Sequence, residues 1–464
     1  MATLNVTNLK ELNLYTNPLL QGQGEFIQMK NVDSYPYGAK RKRQGYSVYL
    51  NAPDAATVNT LFDWHRNDGT TFWNYRASGS AIYYSTQGTG NWTICGNGTI
   101  ANGAHLGHAV LEDTLIVGDG VGPTKHSTDG TSFTDTSGAP VAQYFEEYQG
   151  RIYAGGTANT LFYSTVGTLT DWITDSSSYL IGGPGKISGV FKTGDRLTIA
   201  KNSGNMFRFD GFSFFDMTTN VGPSSPYSVA KQGNLRIWIN KNGYYAYSGG
   251  DPELFSNAIE RQVYNREENA INGAAFGTSA GVFHRNNFLS SVGDITDDFS
   301  GETIVKTIQK YNTQSKGWSN YELDTNQCSW LSFSDNNQNQ QLIFGDTDGN
   351  TYKFDNTLKD VTVPIEATLE MVLHAGTMYT KAWKMLRAIF NPGCGASIMV
   401  AFSDTYTSQS KNWITLGDAR RGKVEYKLPD NRSVFMFIKI IDVSTSNTFE
   451  FYGLEVDYDV NVRT

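Results

Sequence analysis

The sequence predicts an all-β fold: a β-propeller of roughly seven blades (six to eight), followed by a C-terminal antiparallel β-sandwich. Composition is the first reason. The 464 residues include 47 Gly, 26 Tyr, 26 Phe and 9 Trp with only 18% charged residues, which suits short aromatic strands joined by glycine turns. A repeat is the second. YSTQGTGNW (84–92) lies over YSTVGTLTDW (163–172), with HSTDGTSF (126–133) between them and FRFDGFSF (207–214) after them. Their aligned glycines, Gly88, Gly130, Gly167 and Gly211, are separated by 42, 37 and 44 positions, the period of one four-stranded propeller blade. Turn chemistry is the third: Asp68-Gly69, Asn97-Gly98, Asp129-Gly130, Asp210-Gly211, Asn242-Gly243 and Asp348-Gly349 punctuate strand-like runs such as RIYAGG, LRIWIN and QLIFGD. Asn and Asp tolerate positive φ and Gly adopts it freely, as tight hairpins require.

Taken in order along the chain, residues 1–55 show neither the repeat nor a clear alternation. They are expected to form an arm, with a strand or two closing the ring. Residues 56–360 carry the repeat and are expected to form the propeller, whose radial arrangement leaves few unpaired edges. Further units follow at LRIWINKNGYYAYSGG, TIVKTIQKYNTQSKGW and QLIFGDTDGNTYKFD. Residues 361–464 lose the repeat and gain six longer runs: IEATLEMVLH, KAWKMLRAIF, ASIMVAFS, VEYKL, SVFMFIKIID and FEFYGLEVDYDV. In the last, Leu454, Val456, Tyr458 and Val460 alternate with Glu455, Asp457 and Asp459, the pattern of a strand with one buried and one wet face. Several such strands predict a separate antiparallel sandwich of about 100 residues.

Charge and cysteine content exclude several function classes. A net charge of −8 opposes wrapping of DNA or RNA, because such binding rests on neutralised phosphates. Cys95, Cys328 and Cys394 are odd in number and lack metal or redox spacing, so they are expected to be buried small apolar residues. The first residues, MATLNVTNLKELNLY, lack the basic and apolar regions of a signal peptide, and no apolar run reaches membrane-spanning length. A soluble protein made in a cytoplasm is expected.

Candidate chemistry resolves mostly into structure. Ser127, Asp129, Gly130 and Phe133 form a loose Asp-box turn of the sialidase-like kind, which identifies architecture and not catalysis. A sialidase also needs converging arginines; Arg76, Arg151, Arg196, Arg208 and Arg236 are available without a compelled choice. His105 and His108 lack further ligands at metal spacing. Asp346, Asp348 and Gly349 resemble the start of a calcium loop without its later glutamate. Asp294, Asp297, Asp298 and Glu302 read as a solvated acidic loop, and Gly182 to Lys186 (GGPGK) lacks P-loop spacing. No catalytic, cofactor or metal residue is assigned, no cofactor is expected, and the chain is not expected to be an enzyme. Exposed aromatics beside Gly and Asn could build a sugar-binding face, although their recurrence at repeat positions favours packing between blades.

One segment remains: Lys40, Arg41, Lys42 and Arg43 stand in a row inside an acidic chain, a pattern that decides nothing alone. The stretch GEFIQMKNVDSYPYGAKRKRQGY resembles the amino-terminal segment of many phage virion proteins, with Asn31-Val32, a glycine turn, a basic run and Gly45-Tyr46. The segments at 183–211 and 227–260 are similar to consecutive propeller units of the same family, and the ending YGLEVDYDV is similar too. That family is the tail hub or nozzle β-propeller proteins of short-tailed bacteriophages and their relatives. The resemblance implies a structural virion protein in a homo-oligomeric ring, usually six-fold. Such a ring contacts adaptor or portal-side proteins and tail fibres or spikes, and passes DNA without reading its sequence. It implies a virion tail location after assembly in the host cytoplasm. It also implies that Lys40 to Arg43 dock a structural segment on the propeller or on a neighbouring subunit, with direct DNA contact open if the run faces a channel. The alternative is a carbohydrate-binding or sialidase-like propeller acting at a host surface.

Overall fold

The computed structural model describes residues 1–14, 22–34, 38–69, 71–86, 89–156, 158–174, 177–217, 219–263, 273–296, 303–335, 337–375, 379–406 and 411–460. Gly88 and the acidic residues Asp297, Asp298 and Glu302 lie outside them.

Seven blades form the propeller. The first comprises Val58–His65, Phe72–Ser78, Ala81–Thr86 and Thr93–Thr99, each strand antiparallel to the next. Four more four-stranded sheets begin at Gly107–Leu111, Tyr144–Tyr148, Ile187–Thr193 and Ala230–Gln232. The sixth blade runs from Ala280–His284 to Gly317–Glu322. The seventh takes three strands, Gln327–Ser334, Gln340–Asp346 and Thr351–Phe354, from its own stretch of chain. Its fourth strand is Tyr46–Val48 from the arm, paired as Tyr352↔Val48 and Phe354↔Tyr46.

The second strand of each blade explains why the runs fold this way. FWNYRAS is buried throughout, and RLTIAK, LRIWIN and TLIVG are buried beyond their first residue. Such strands are buried on both faces because each face meets a neighbouring blade. Buried apolar side chains fill every junction. Phe62, Tyr75 and Leu115 join blades one and two; Ile116, Phe145 and Trp172 join two and three; Tyr153, Ile187 and Phe209 join three and four. Phe191, Met206 and Trp238 follow between four and five, Ile239, Tyr244 and Phe288 between five and six, and Leu289, Tyr321 and Trp330 between six and seven. Val58, Phe72 and Ile343 complete the circle between seven and one.

Small residues let these wedges meet. A Cβ at Gly345, at the end of its blade's second strand, would lie 2.4 Å from the Val58 side chain in the next blade. Gly345→Ala is therefore expected to cost about 2 kcal/mol by overpacking, measured by urea unfolding; an unchanged midpoint would show that the junction yields. The Asp-Gly turns also act between blades. The Asp129 carboxylate accepts the Ser132 hydroxyl (2.7 Å) and the amides of Ser132 (2.9 Å) and Thr131 (2.8 Å), and these bonds hold its pKa down to about 2 against the opposing effect of burial. Gly130, at φ +82°, presses its backbone onto the Trp73 indole of the preceding blade. Asn97-Gly98 differs from the hairpin expected of it and sits inside Thr93–Thr99, where Asn97 alone takes positive φ.

The C-terminal strands build two sheets, and neither is separate from the propeller. Ala367–Leu373, Phe435–Asp442, Ser397–Ser403 and Ile414–Asp418 continue the sheet of blade six through the arm strand Gln28–Lys30, which pairs with both Gly317–Glu322 and Ala367–Leu373. The second sheet places Val32–Ser34, Lys40–Lys42, Glu450–Val460, Lys381–Phe390 and Lys423–Lys427 in order, with Ala2–Val6 also on Glu450–Val460. Leu369, Met371, Ile438 and Val400 from the first sheet share one core with Leu386, Leu454, Val456 and Leu4 from the second. That core runs on into Tyr244, Phe288 and Trp318 of the propeller, so the expected independent unit is instead an outgrowth of blade six. The arm contributes to both bodies, and its strands of three to five residues are too short to show a period in sequence. The wet face expected on the last strand is also partly covered: Asp457 is buried, bound by Thr3 Oγ1 (2.7 Å) and Arg387 (2.9 Å).

Candidate functional site

Two places concentrate polar chemistry: the basic run of the arm, and a pocket around the propeller axis. In the run, backbone pairing decides where each cation goes. Lys40–Lys42 is a strand between Val32–Ser34 and Glu450–Val460, so Lys40 and Lys42 point to one side and Arg41 to the other. Lys40, Lys42 and Arg43 are each about 1% exposed, and each meets a carboxylate from a different part of the chain. Lys40 Nζ lies 3.1 Å from Glu11. Lys42 Nζ lies 3.3 Å from Asp442, itself fully buried, and donates to the Ser444 carbonyl at 2.8 Å. Arg43 forks onto both oxygens of Asp360, gives its Nε proton to Asn31 Oδ1 (2.7 Å) and donates to the Glu322 carbonyl (2.8 Å). Arg41 is the half-exposed one and lies 3.8 Å from Glu450.

Electrostatics agree with an interior latch. Burial lowers the pKa of Lys42 and Lys40, against the attraction of Asp442 and Glu11 respectively. Burial raises the Asp360 carboxyl, opposed by Arg43. Lys30 continues the latch upstream, 2.9 Å from Glu366 and 3.1 Å from Glu322. The run therefore docks within its own chain, on blade seven and the C-terminal sheets. Direct DNA contact through Lys40, Lys42 and Arg43 is excluded, because phosphate cannot reach them.

The axial pocket has a volume of about 570 Å3 and is lined by the innermost strands of the first five blades. Tyr227, in the short turn before blade five, reaches across it. Its ring stacks on His105 at 3.7 Å, and its hydroxyl accepts the Gln143 amide at 2.9 Å. His108 opens onto the pocket with its ring exposed there, stacked on Phe62 at 4.3 Å, and the partial loss of solvent between the blades, helped by the Lys231 charge, holds its pKa below the ordinary imidazole value, so it is neutral at pH 7. Lys192 pairs with Glu147 at 3.2 Å. Arg236 is spent on backbone carbonyls, those of Gly233 (2.7 Å) and Leu235 (3.0 Å) among them. Tyr227 and the pocket gave no sequence signal, because the lining comes from five distant stretches.

The remaining sequence candidates stay apart. Arg76 is held by Asp54 (2.6 Å) and the Gly349 carbonyl, Arg151 by the Ser164 carbonyl, Arg196 by Asp195 and Arg208 by the Gly249 carbonyl. These arginines do not converge. The carboxylate of Asp346 caps its own turn through the amides of Asp348 (2.9 Å) and Asn350 (2.7 Å). In GGPGK the carbonyls of Gly182 and Gly183 accept from Lys201 Nζ at 2.6 and 2.7 Å, the reverse of a phosphate cradle. Cys95 and Cys394 are buried and Cys328 is partly so, all as free thiols. Among the described residues no group of three or more metal-binding side chains occurs, and no helix is long and apolar enough to cross a membrane.

No family model matches the chain, and no curated protein does. Similar solved structures include the extracellular domain of the putative one-component system BT4673 from B. thetaiotaomicron, with 9% identity, TM-score 0.48, and 88% of this chain and 58% of that one covered. BamB from Moraxella catarrhalis gives 13% identity, TM-score 0.41 and coverage of 76% and 96%. BBS1N, solved in complex with ARL6DN, gives 9%, 0.45, and 68% and 98%. Likeness at this level carries no argument about function.

Proposed function

We propose that this chain is a structural component of a bacteriophage tail, a hub or nozzle subunit that assembles into a homo-oligomeric ring. In this reading the ring surrounds the path of the ejected genome and contacts adaptor and fibre or spike proteins. The resemblance of the arm and of the units at 183–211 and 227–260 supports it. The observation that carries it furthest is the buried latch. Lys40, Lys42 and Arg43 are neutralised inside the chain by Glu11, Asp442 and Asp360, so the net charge of −8 resides outside these pairs. A conduit needs that balance, since a cationic wall would trap a polyanion and an anionic one repels it. DNA would pass between subunits of the ring and not along the propeller axis, where Tyr227 bridges the blades.

Electron microscopy of the chain with its adaptor proteins, or of the particle containing it, tests the reading. The expected result is a closed ring whose lumen carries an excess of Asp and Glu. A chain that stays monomeric in the particle, or a lumen continuously lined by Lys and Arg, overturns it.

A further inference from the structure

We propose that the axial pocket is a binding site for a neutral saccharide of one or two sugar rings. A cavity of about 570 Å3 falls within the size range of small-molecule sites, and its polar groups are not all engaged by the protein. Six ionisable groups of fixed sign line it, three acidic (Asp63, Glu146, Glu147) and three basic (Lys192, Lys231, Arg236). Four of these have close partners: Lys192 with Glu147, Asp63 with His65 at 2.8 Å, and Arg236 with backbone carbonyls. Two remain to meet a ligand. Lys231 makes no hydrogen bond or close ion pair among the described residues, and Glu146 makes no side-chain ion pair there, with Lys231 and Arg236 acting on it through their charge and the Lys192 backbone amide as its donor.

The chemistry of that pair selects the ligand class. An anion at Lys231 faces the Glu146 carboxylate, and a cation at Glu146 faces the Lys231 ammonium, so neither sign gains a net field. A neutral polyol loses nothing to this balance and uses both groups, one as acceptor and one as donor. Neutral His108 adds a ring nitrogen of each kind, donor and acceptor, and Tyr144 adds an aromatic face to the lining. Burial raises the Glu146 carboxyl while Lys231 and Arg236 hold it down, which fits a group kept in a restricted space without a dedicated partner. This inference does not depend on the tail-ring reading.

Titration of the full chain with glucose, galactose, mannose, N-acetylglucosamine and their disaccharides, followed by saturation-transfer NMR and calorimetry, tests it. The expected result is saturable binding of at least one sugar. Lys231→Ala and Glu146→Gln, with unchanged circular dichroism, should weaken it at least tenfold, while Asp195→Ala on the outer surface leaves it unchanged. Three results would overturn the proposal: no saturable sugar binding by the folded chain, binding that both pocket variants retain, or tighter binding of sulfate or a free amino acid than of every sugar tested.

Discussion

Asp360→Ala is expected to destabilise the chain by about 3–5 kcal/mol, the cost of leaving one partner of a buried ion pair uncompensated. Arg43 would keep only Asn31 Oδ1 and two carbonyls as acceptors, while its charge stays buried against the Tyr321 ring at 5.4 Å. The loss is larger than that of a surface pair, which is about 0–1 kcal/mol, because water cannot replace the carboxylate. The double variant Arg43→Met with Asp360→Leu should recover much of the stability, since it removes the unpaired charge as well. Chemical denaturation of the three proteins measures both effects. A loss under about 1 kcal/mol for Asp360→Ala would mean that the latch is not what holds the arm.

Removal of residues 1–48 is expected to have the larger effect still, abolishing cooperative folding of both bodies. Blade seven would lose its fourth strand and expose the cluster into which Tyr46 packs, 5.0 Å from Phe344 and 5.2 Å from Tyr352. The C-terminal sheets would lose Ala2–Val6, Gln28–Lys30 and Lys40–Lys42 at the same time. Open strand edges template association, so the truncated chain should aggregate or give a broad, non-cooperative thermal transition with weak near-ultraviolet dichroism. A truncated chain that unfolds with the midpoint of the full one would show that ring closure through the arm is dispensable. The two experiments probe different links. The point change tests one ion pair, whereas the truncation tests the pairing of the strands that carry it.

The recurrent 42, 37 and 44 spacing, the Asp-Gly turns and the strand-like runs between them, such as LRIWIN, were enough to read the propeller. Each of those signals is local: a turn needs Asp and Gly side by side, and a strand between two blades needs aromatic and β-branched residues whatever its neighbours are. The six C-terminal runs were legible for the same reason, while Ile414–Asp418 was not, being an edge strand with an exposed and partly polar pattern. The site was far less legible. GGPGK and the Asp346 turn each look like ligand motifs, but their atoms are engaged by Lys201 and backbone amides, while in HLGH His105 is stacked under Tyr227 and only His108 opens onto the pocket.

By itself, the sequence determined that this chain is β-rich, that one unit recurs about every forty residues, and that its aromatic residues are interleaved with turns. Only the tertiary structure decided that four consecutive cations are an interior fastening, because burial and pairing with Glu11, Asp442 and Asp360 depend on residues up to 400 positions away. It also decided that one C-terminal sheet grows out of blade six, through an arm strand of three residues, and shares its core with the other. Both outcomes follow from long-range strand pairing and charge burial, which depend on where distant segments meet and leave no periodic trace along the chain.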